Sequence, residues 1–302
     1  MSSFSLRQWL LNLGERNRVV RTAISLYRAI NQWRYNCLDL WERRRVSRQI
    51  DAKLANYPIR ERPILAQARQ EQIPSQDEFP LVSVIIATWN RGPLLAERTI
   101  PTVLNQTWPN WELIVVGDGC TDDTPARMAR FTDPRVRFEN LAERGVYPTE
   151  PHLRRLVQGL PPMVRAESLA RGQWIAHLDD DDCFTPNHIE VMMRAAQADK
   201  RVEYLWGRMD FEVEPAVWRV EGSPTIWLYD MPHSAVMFRN YLREIPYLME
   251  AWRYELGDDR HRFRRWHLAG ARGKFVDQIV TRAPLRPGTT RPWGNAEDVK
   301  SL

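Results

Sequence analysis

Four consecutive aspartates, Asp179 to Asp182, close the apolar run Trp174-Ile175-Ala176-His177-Leu178. The run has strand character, and in open α/β sheets ligands bind outside the carboxyl ends of strands. Four unpaired carboxylates at such an end repel one another strongly. A divalent cation with a phosphate-bearing ligand relieves that repulsion, because hard cations take oxygen ligands. A second reading stays open at this point. The run also fits a solvated acidic turn capping the helix that starts near Pro186, since carboxylates stabilise helix N-termini.

With 302 residues, 43% of them hydrophobic, the chain can bury one large core or two modest ones. Its longest apolar runs, residues 81–87 and 113–116, are far too short to span a bilayer. The N-terminus lacks a short apolar core followed by a small-residue cleavage site, so no signal peptide is expected. Cys37, Cys120 and Cys183 are widely spaced and odd in number. That argues against a disulfide framework and for a reducing compartment. No CxxC or HxxxH pairing points to zinc. The net charge of +5 is uneven. Residues 1–50 hold ten arginines against Glu15, Asp39 and Glu42, a net of +7 that leaves −2 on the remainder.

Residues 4–50 read as helix, with Leu6, Leu10, Leu13, Val20, Ile24, Tyr27 and Ile30 near one stripe. Arginines and Trp9, Trp33 and Trp41 flank it. Two placements fit: packing on the body, or lying on an anionic membrane surface. Nucleic-acid binding has no supporting motif. Residues 51–78, with Pro58, Pro63 and Pro74, read as a polar linker. From Pro80 the texture changes. Residues 81–88 form a strand apolar enough to be buried on both faces. A turn over 89–93 leads to a helix over 94–104. A strand over 111–116 ends at Gly117-Asp118-Gly119, and a helix over 123–131 follows. Then come a short strand over 136–138, a long loop over 140–163, a helix over 164–170 and a strand over 173–178. This alternation predicts a parallel sheet wound by right-handed crossovers, with Trp89, Asp118 and Asp179 along one edge.

Three segments are recognisable together. Residues 80–124, PLVSVIIATWNRGPLLAERTIPTVLNQTWPNWELIVVGDGCTDDT, resemble the opening of inverting family-2 glycosyltransferases, PxVSVIIPTYNR and then SVLxQTxxxxEIIVVDDGSTDxT. ARGQWIAHLDDDDCFTPNHIE resembles that family's A-x-GEYIAFLDxDDxxxP. LGDDRHRFRRWHLAGARGKFVDQIVTR resembles its GEDxxLWLRLAxxGxKFxxxxxPLVxYR. The three occur in order and cover about residues 80–285. The resemblance implies the GT-A fold, a Rossmann-like, mostly parallel sheet flanked by helices, over residues 79–302. The basic helical extension and linker would be residues 1–78.

It also implies roles, residue by residue. Trp89, between Thr88 and Asn90 on the donor side, stands where the family has a tyrosine that stacks on the nucleotide base. Asp118 matches the second aspartate of DDGS, an acceptor for the base edge, while Gly117 replaces the first. Asp179 and Asp181 match the outer positions of D-x-D, which hold the ribose and a Mg2+ or Mn2+ on the diphosphate. Asp180 and Asp182 share that task. Asp259 matches the aspartate of the ED pair, the general base, and Asp258 fits a register shifted by one. His233-Ser234 resembles an acceptor-side segment, and a buried structural histidine fits equally. Val164, where the family often has asparagine, is a further departure, and the 140–163 loop is longer than usual.

The expected activity is metal-dependent, inverting transfer of a sugar from a nucleotide sugar, UDP-linked, to a sugar-, lipid- or protein-linked hydroxyl. The expected place is the cytoplasm, with residues 1–50 at the inner face of the membrane. Two alternatives remain. One is a degenerate nucleotide-binding or interaction protein without turnover. The other is a metal-dependent nucleotidyltransferase, although no G-x-x-x-x-G-K-[ST] loop is present.

Overall fold

The computed structural model describes residues 45–71, 77–224, 231–254 and 256–286. The chain divides into two compact units, Met1–Ile50 and Asp51–Leu302. In the first, residues 45–50 are helical. The basic, Trp-bearing arm up to residue 44 lies outside the described residues, and with it the expected membrane contact. Among the described residues no helix is long and apolar enough to cross a membrane.

In the second unit, β1 (Val82–Thr88) is buried along almost its whole length. A strand with no polar face needs cover on both sides. It pairs in parallel with β2 (Trp111–Gly117) and β4 (Trp174–His177), and β2 pairs in parallel with β3 (Val136–Asn140). Beyond β4 the order runs through β8 (Val236–Arg239), β6 (Tyr204–Glu214), β9 (Gly273–Ala283) and β5 (Cys183–Phe184), and β7 (Val217–Glu221) is hairpinned to β6. Only β5, β7 and β8 run against the common direction of the other six strands. The chain builds outward from β1 to β3, then returns to place β4 on the other side of β1. That reversal makes a crevice between the carboxyl ends of β1 and β4.

Two apolar layers cover the sheet. On one face, α2 (residues 92–104), α3 (Thr124–Met128) and α5 (His188–Ala198) bury Leu95, Ile100, Met128, Ile189 and Met192 against Val84, Val115 and Ala176. On the other, α1 (Tyr57–Glu71), α4 (Leu160–Leu169) and α6 (Asp258–Ala269) bury Leu65, Met163, Phe263 and Trp266 against Ile85, Ile114 and Ile175. Within α2, Leu95–Thr99 widens to a π turn just before Pro101, the position where a missing N–H and a ring clash disturb an α-helix.

The stretch expected as a linker therefore contains α1. Pro58 is tolerated in its first turn, where the N–H is unpaired in any case. Tertiary contacts then override the breaker reading of Pro63. Leu65 is buried, Glu61 pairs with Arg265, and Arg69 Nε donates to Glu203 Oε1 at 2.7 Å.

Candidate active site at the strand ends

The four aspartates line the β1–β4 crevice, and each has its own partner. Thr88 Oγ1 at the end of β1 donates to Asp180 Oδ2 at 2.7 Å. Arg91 Nη1 donates to Asp180 Oδ1 at 3.0 Å and Asp181 Oδ2 at 2.7 Å. Arg286 Nε reaches the same Asp181 oxygen at 2.5 Å. His233 Nδ1 lies 2.7 Å from Asp179 Oδ1. Ser234 Oγ donates to Asp182 Oδ2 at 2.5 Å and accepts the Asp179 N–H at 3.0 Å. The π turn of α2 fixes the loop backbone from the other side. Thr99 Oγ1 donates to Asp180 O at 3.0 Å, and Arg98 donates to Asp181 O.

The expected mutual repulsion is thus relieved in part by the chain itself. Its cations come from positions 91, 233 and 286, far from residue 179 in sequence. Burial, and Asp181 beyond Arg91's counterpull, raise Asp180 to about 6. Burial and the charges of Asp179 and Asp181 hold Asp182 well above the usual carboxylate range. Burial would also raise Asp179, but His233 outweighs it and the carboxyl is lowered.

Two of the candidates are bonded to each other and buried. Asp182, named for the metal, is buried and bonded to Ser234. Ser234, named for the acceptor, is fully buried as a bridge within the aspartate loop. No group of three His, Cys, Asp or Glu side chains suited to a metal occurs among the described residues. Asp179 and Asp181 still supply an all-oxygen set. Mg2+-type ions are commonly held by one or two carboxylates, waters and substrate phosphates. The residues fit such an ion.

The base side of the crevice is closed by the chain's own loop. Trp89 is 40% exposed, and the Arg144 guanidinium sits 3.4 Å from its ring centroid. Asp118 is buried, with Oδ1 accepting the Gly145 N–H at 2.8 Å and Oδ2 accepting the Tyr147 hydroxyl at 2.6 Å. Here Asp118 holds the loop, and both of its oxygens are engaged. Asn90, with φ at +52°, accepts the N–H groups of Thr121 at 2.9 Å and Asp122 at 3.3 Å, so it shapes the turn beside Trp89. Gly117 has a structural reason. A Cβ there would lie 2.4 Å from Asn140 Oδ1, which accepts the Cys120 N–H at 2.8 Å. Asn140 thus pins the turn from the space that a side chain at 117 would fill. Val164 is exposed on α4.

Asp258 and Asp259 open α6, where two negative charges suit the helix dipole. Asp258 N donates to Leu156 O at 2.9 Å, which ties this end to the 155–159 turn. Burial and then the neighbouring Asp259 charge raise Asp258 to about 7. His233 connects this pair to the aspartate loop. Burial disfavours its charge, but Asp179, then Asp259 and Asp258, outweigh it and lift it to about 9.

A pH dependence follows. An unfolded aspartate releases its proton near 3.9. Folded Asp258 keeps its own to about 7, so the folded state binds more protons between those values and stability falls as pH rises. His233 contributes stability that is complete below about 6.5 and lost as pH rises through 9. Burial holds His177, His188 and His261 to about 3 to 4, so they oppose this slope below about 6.5, and melting temperature is expected to fall from about pH 6.5 to 9. Asp258→Asn should flatten the part below pH 7 and raise the melting temperature most at pH 8, with Asp180 and Asp182 keeping some slope. An unchanged slope in thermal melts would contradict the buried, raised carboxyl.

Sequence reasoning missed Arg91, although it directly follows Thr88-Trp89-Asn90 in the quoted segment. It also missed Arg144, Tyr147 and Arg286, which lie in loops without period or motif.

The glycosyl transferase family 2 model matches residues 83–147 and 163–251, about half of the chain. Succinoglycan biosynthesis protein ExoO of Rhizobium meliloti is 34% identical over 128 residues, 41% of this chain and 32% of that protein. The glucosyltransferase WfgD of Escherichia coli, named for transfer from UDP-Glc to GlcNAc-diphosphoundecaprenol, is 27% identical over 131 residues, 43% of this chain and 46% of WfgD. The matched stretch thus spans less than half of either relative. Among solved structures, the mannosyltransferase PcManGT of Pyrobaculum calidifontis, in complex with GDP-Man and Mn2+, shares the fold with TM-score 0.51 at 17% identity, covering 80% of this chain and 69% of that one. The matched residues include β1, β2, β4 and the aspartate loop, the elements that build the crevice, and the chain belongs to glycosyl transferase family 2.

Proposed function

We propose that the chain transfers a sugar, with inversion, from a UDP-linked donor to an acceptor hydroxyl carried by a saccharide, lipid or protein. The basic N-terminal arm would lie at an anionic membrane face. The observation that carries this reading is His233. It touches Asp179 at 2.7 Å, and the Asp259 and Asp258 charges help to raise its pKa, which supports a reading with the diphosphate side and the base side in one cleft.

Inverting displacement needs a proton acceptor on one face of the sugar and a stabilised leaving group on the other. Asp259 takes the acceptor's proton as the C–O bond forms. Asp179 and Asp181 would hold a Mg2+ or Mn2+, which supplies Lewis-acid stabilisation of the departing diphosphate when bound. Arg91 and Arg286, already beside Asp181, turn their charge to the same phosphates. Trp89 offers a π-face to the base once Arg144 leaves it. The WfgD name supports UDP and a lipid-linked acceptor, and the PcManGT complex supports Mn2+. Gly117 no longer favours a degenerate binder, since Asn140 accounts for it.

A panel of nucleotide sugars with Mn2+ tests the reading. Release of UDP from a UDP-sugar, stopped by EDTA, is expected. Pyrophosphate release would support nucleotidyl transfer, and no release from any donor would support a binder.

A further inference from the structure

Among the positions that are apolar in the family segments quoted above and polar in this chain, two are fully buried. His177 stands at the phenylalanine of A-x-GEYIAFLDxDD, and Arg262 at the leucine of GEDxxLWLRLA. In the structure both are fully buried, and they meet through Glu167 on α4. The Arg262 Nη1 donates to Glu167 Oε1, its Nε to Ile245 O at 2.9 Å and its Nη2 to Leu242 O at 3.4 Å. Tyr247 and Trp266 rings cover the guanidinium at 4.2 and 4.8 Å. His177 Nε2 lies 3.5 Å from the same Glu167 oxygen and 3.4 Å from the Tyr247 hydroxyl. That hydroxyl is 3.4 Å from His233 Nε2, and His233 reaches Asp179. Contacts therefore run unbroken from α6, one turn past Asp258 and Asp259, to the donor-side aspartate.

Stability alone is a weak reason for these groups. A buried ion pair is often matched or bettered by apolar side chains of similar volume. A leucine at 262 would meet Phe238, Tyr247 and Trp266, all apolar faces. Geometry accounts for them better. A planar guanidinium with fixed donors joins α6, α4 and the 242–245 turn in one arrangement.

We propose that Glu167, Arg262 and His177 form a positioning network that sets the Asp258–Asp259 end of α6 against His233 and Asp179 across the cleft, with Arg262 as the positioning residue. The proposal rests on the functional reading above, in which both carboxylate sets act on one sugar. A displacement of about 1 Å at reacting groups costs about 10²-fold in rate. Loosening the network should slow the chemical step and leave donor contacts intact.

The test is the double variant Glu167→Leu with Arg262→Leu, which removes both charges together and strands neither. Arg262→Leu alone leaves Glu167 buried and unpaired and is expected to melt lower. The double variant should stay folded, melt above Arg262→Leu alone, and bind UDP with Mn2+ at wild-type affinity by calorimetry. Its kcat for UDP-sugar turnover should fall by about 10-fold or more. Adding His177→Phe should cost little further, because residues acting as one unit are not additive. A folded double variant with wild-type kcat overturns the proposal, as does a loss confined to UDP affinity. If the wild type releases nucleoside diphosphate from no donor, the functional reading fails and the proposal fails with it.

Discussion

Asp259→Asn is expected to lower turnover by about 10²- to 10⁴-fold while leaving donor affinity within about twofold, because a general base acts in the transition state. The substitution is nearly isosteric and removes one of two adjacent charges at the start of α6, so the fold should persist. Asp259 Oδ1 accepts the Arg260 N–H at 2.7 Å, a bond the asparagine oxygen can also accept. Asp258→Asn separates the two registers. Asp258 is held near 7 by burial and by Asp259, a value matched to general-base work at neutral pH, so the two carboxylates have to be told apart by substitution. If Asp258→Asn abolishes turnover and Asp259→Asn does not, the base is one residue earlier. Initial rates at saturating donor, with donor Kd from calorimetry, decide.

Asp181→Ala is expected to remove metal stimulation and weaken metal-dependent donor binding by about 100-fold or more, since a bound cation is worth several kcal/mol of charge stabilisation. EDTA-treated wild type should behave like the variant. Stability should change little. Four repelling carboxylates read from sequence would predict a more stable apo protein. The structure predicts a small loss, under about 1 kcal/mol, because Asp181 is paired with Arg91 and Arg286 in partly exposed bridges. Calorimetry with Mn2+ present checks binding, and thermal melts check the sign. Unchanged donor affinity would place the metal elsewhere.

That reversal shows what local sequence carries and what it does not. The apolar texture of 82–88 and 111–117 made β1 and β2 legible, because a strand buried on both faces has no other composition. The aspartates and the Asp258-Asp259 pair could be singled out because they sit beside recognisable text. Their pairing was not. Arg91, His233 and Arg286 are brought to residues 179–182 by the strand order, and no periodicity encodes a return across about 100 residues. The same holds for Asp118. The resemblance implied that its carboxylate accepts from the base edge, and the 144–147 loop engages both of its oxygens. α1 was missed because Pro58 and Pro63 read as breakers, while its stability comes from the Glu61–Arg265 pair and buried Leu65. The Glu167–Arg262–His177 network joins residues that no single motif contains.

In the proposed mechanism a base on α6 faces a diphosphate held at the end of β4, with the sugar between them. Direct attack across that gap inverts the anomeric centre. The most direct measurement is proton NMR of the first product formed from an α-linked UDP-sugar by wild-type protein with Mn2+. The account predicts a β-linked product at the earliest time points. An α-linked product, with the donor's configuration retained, would contradict it.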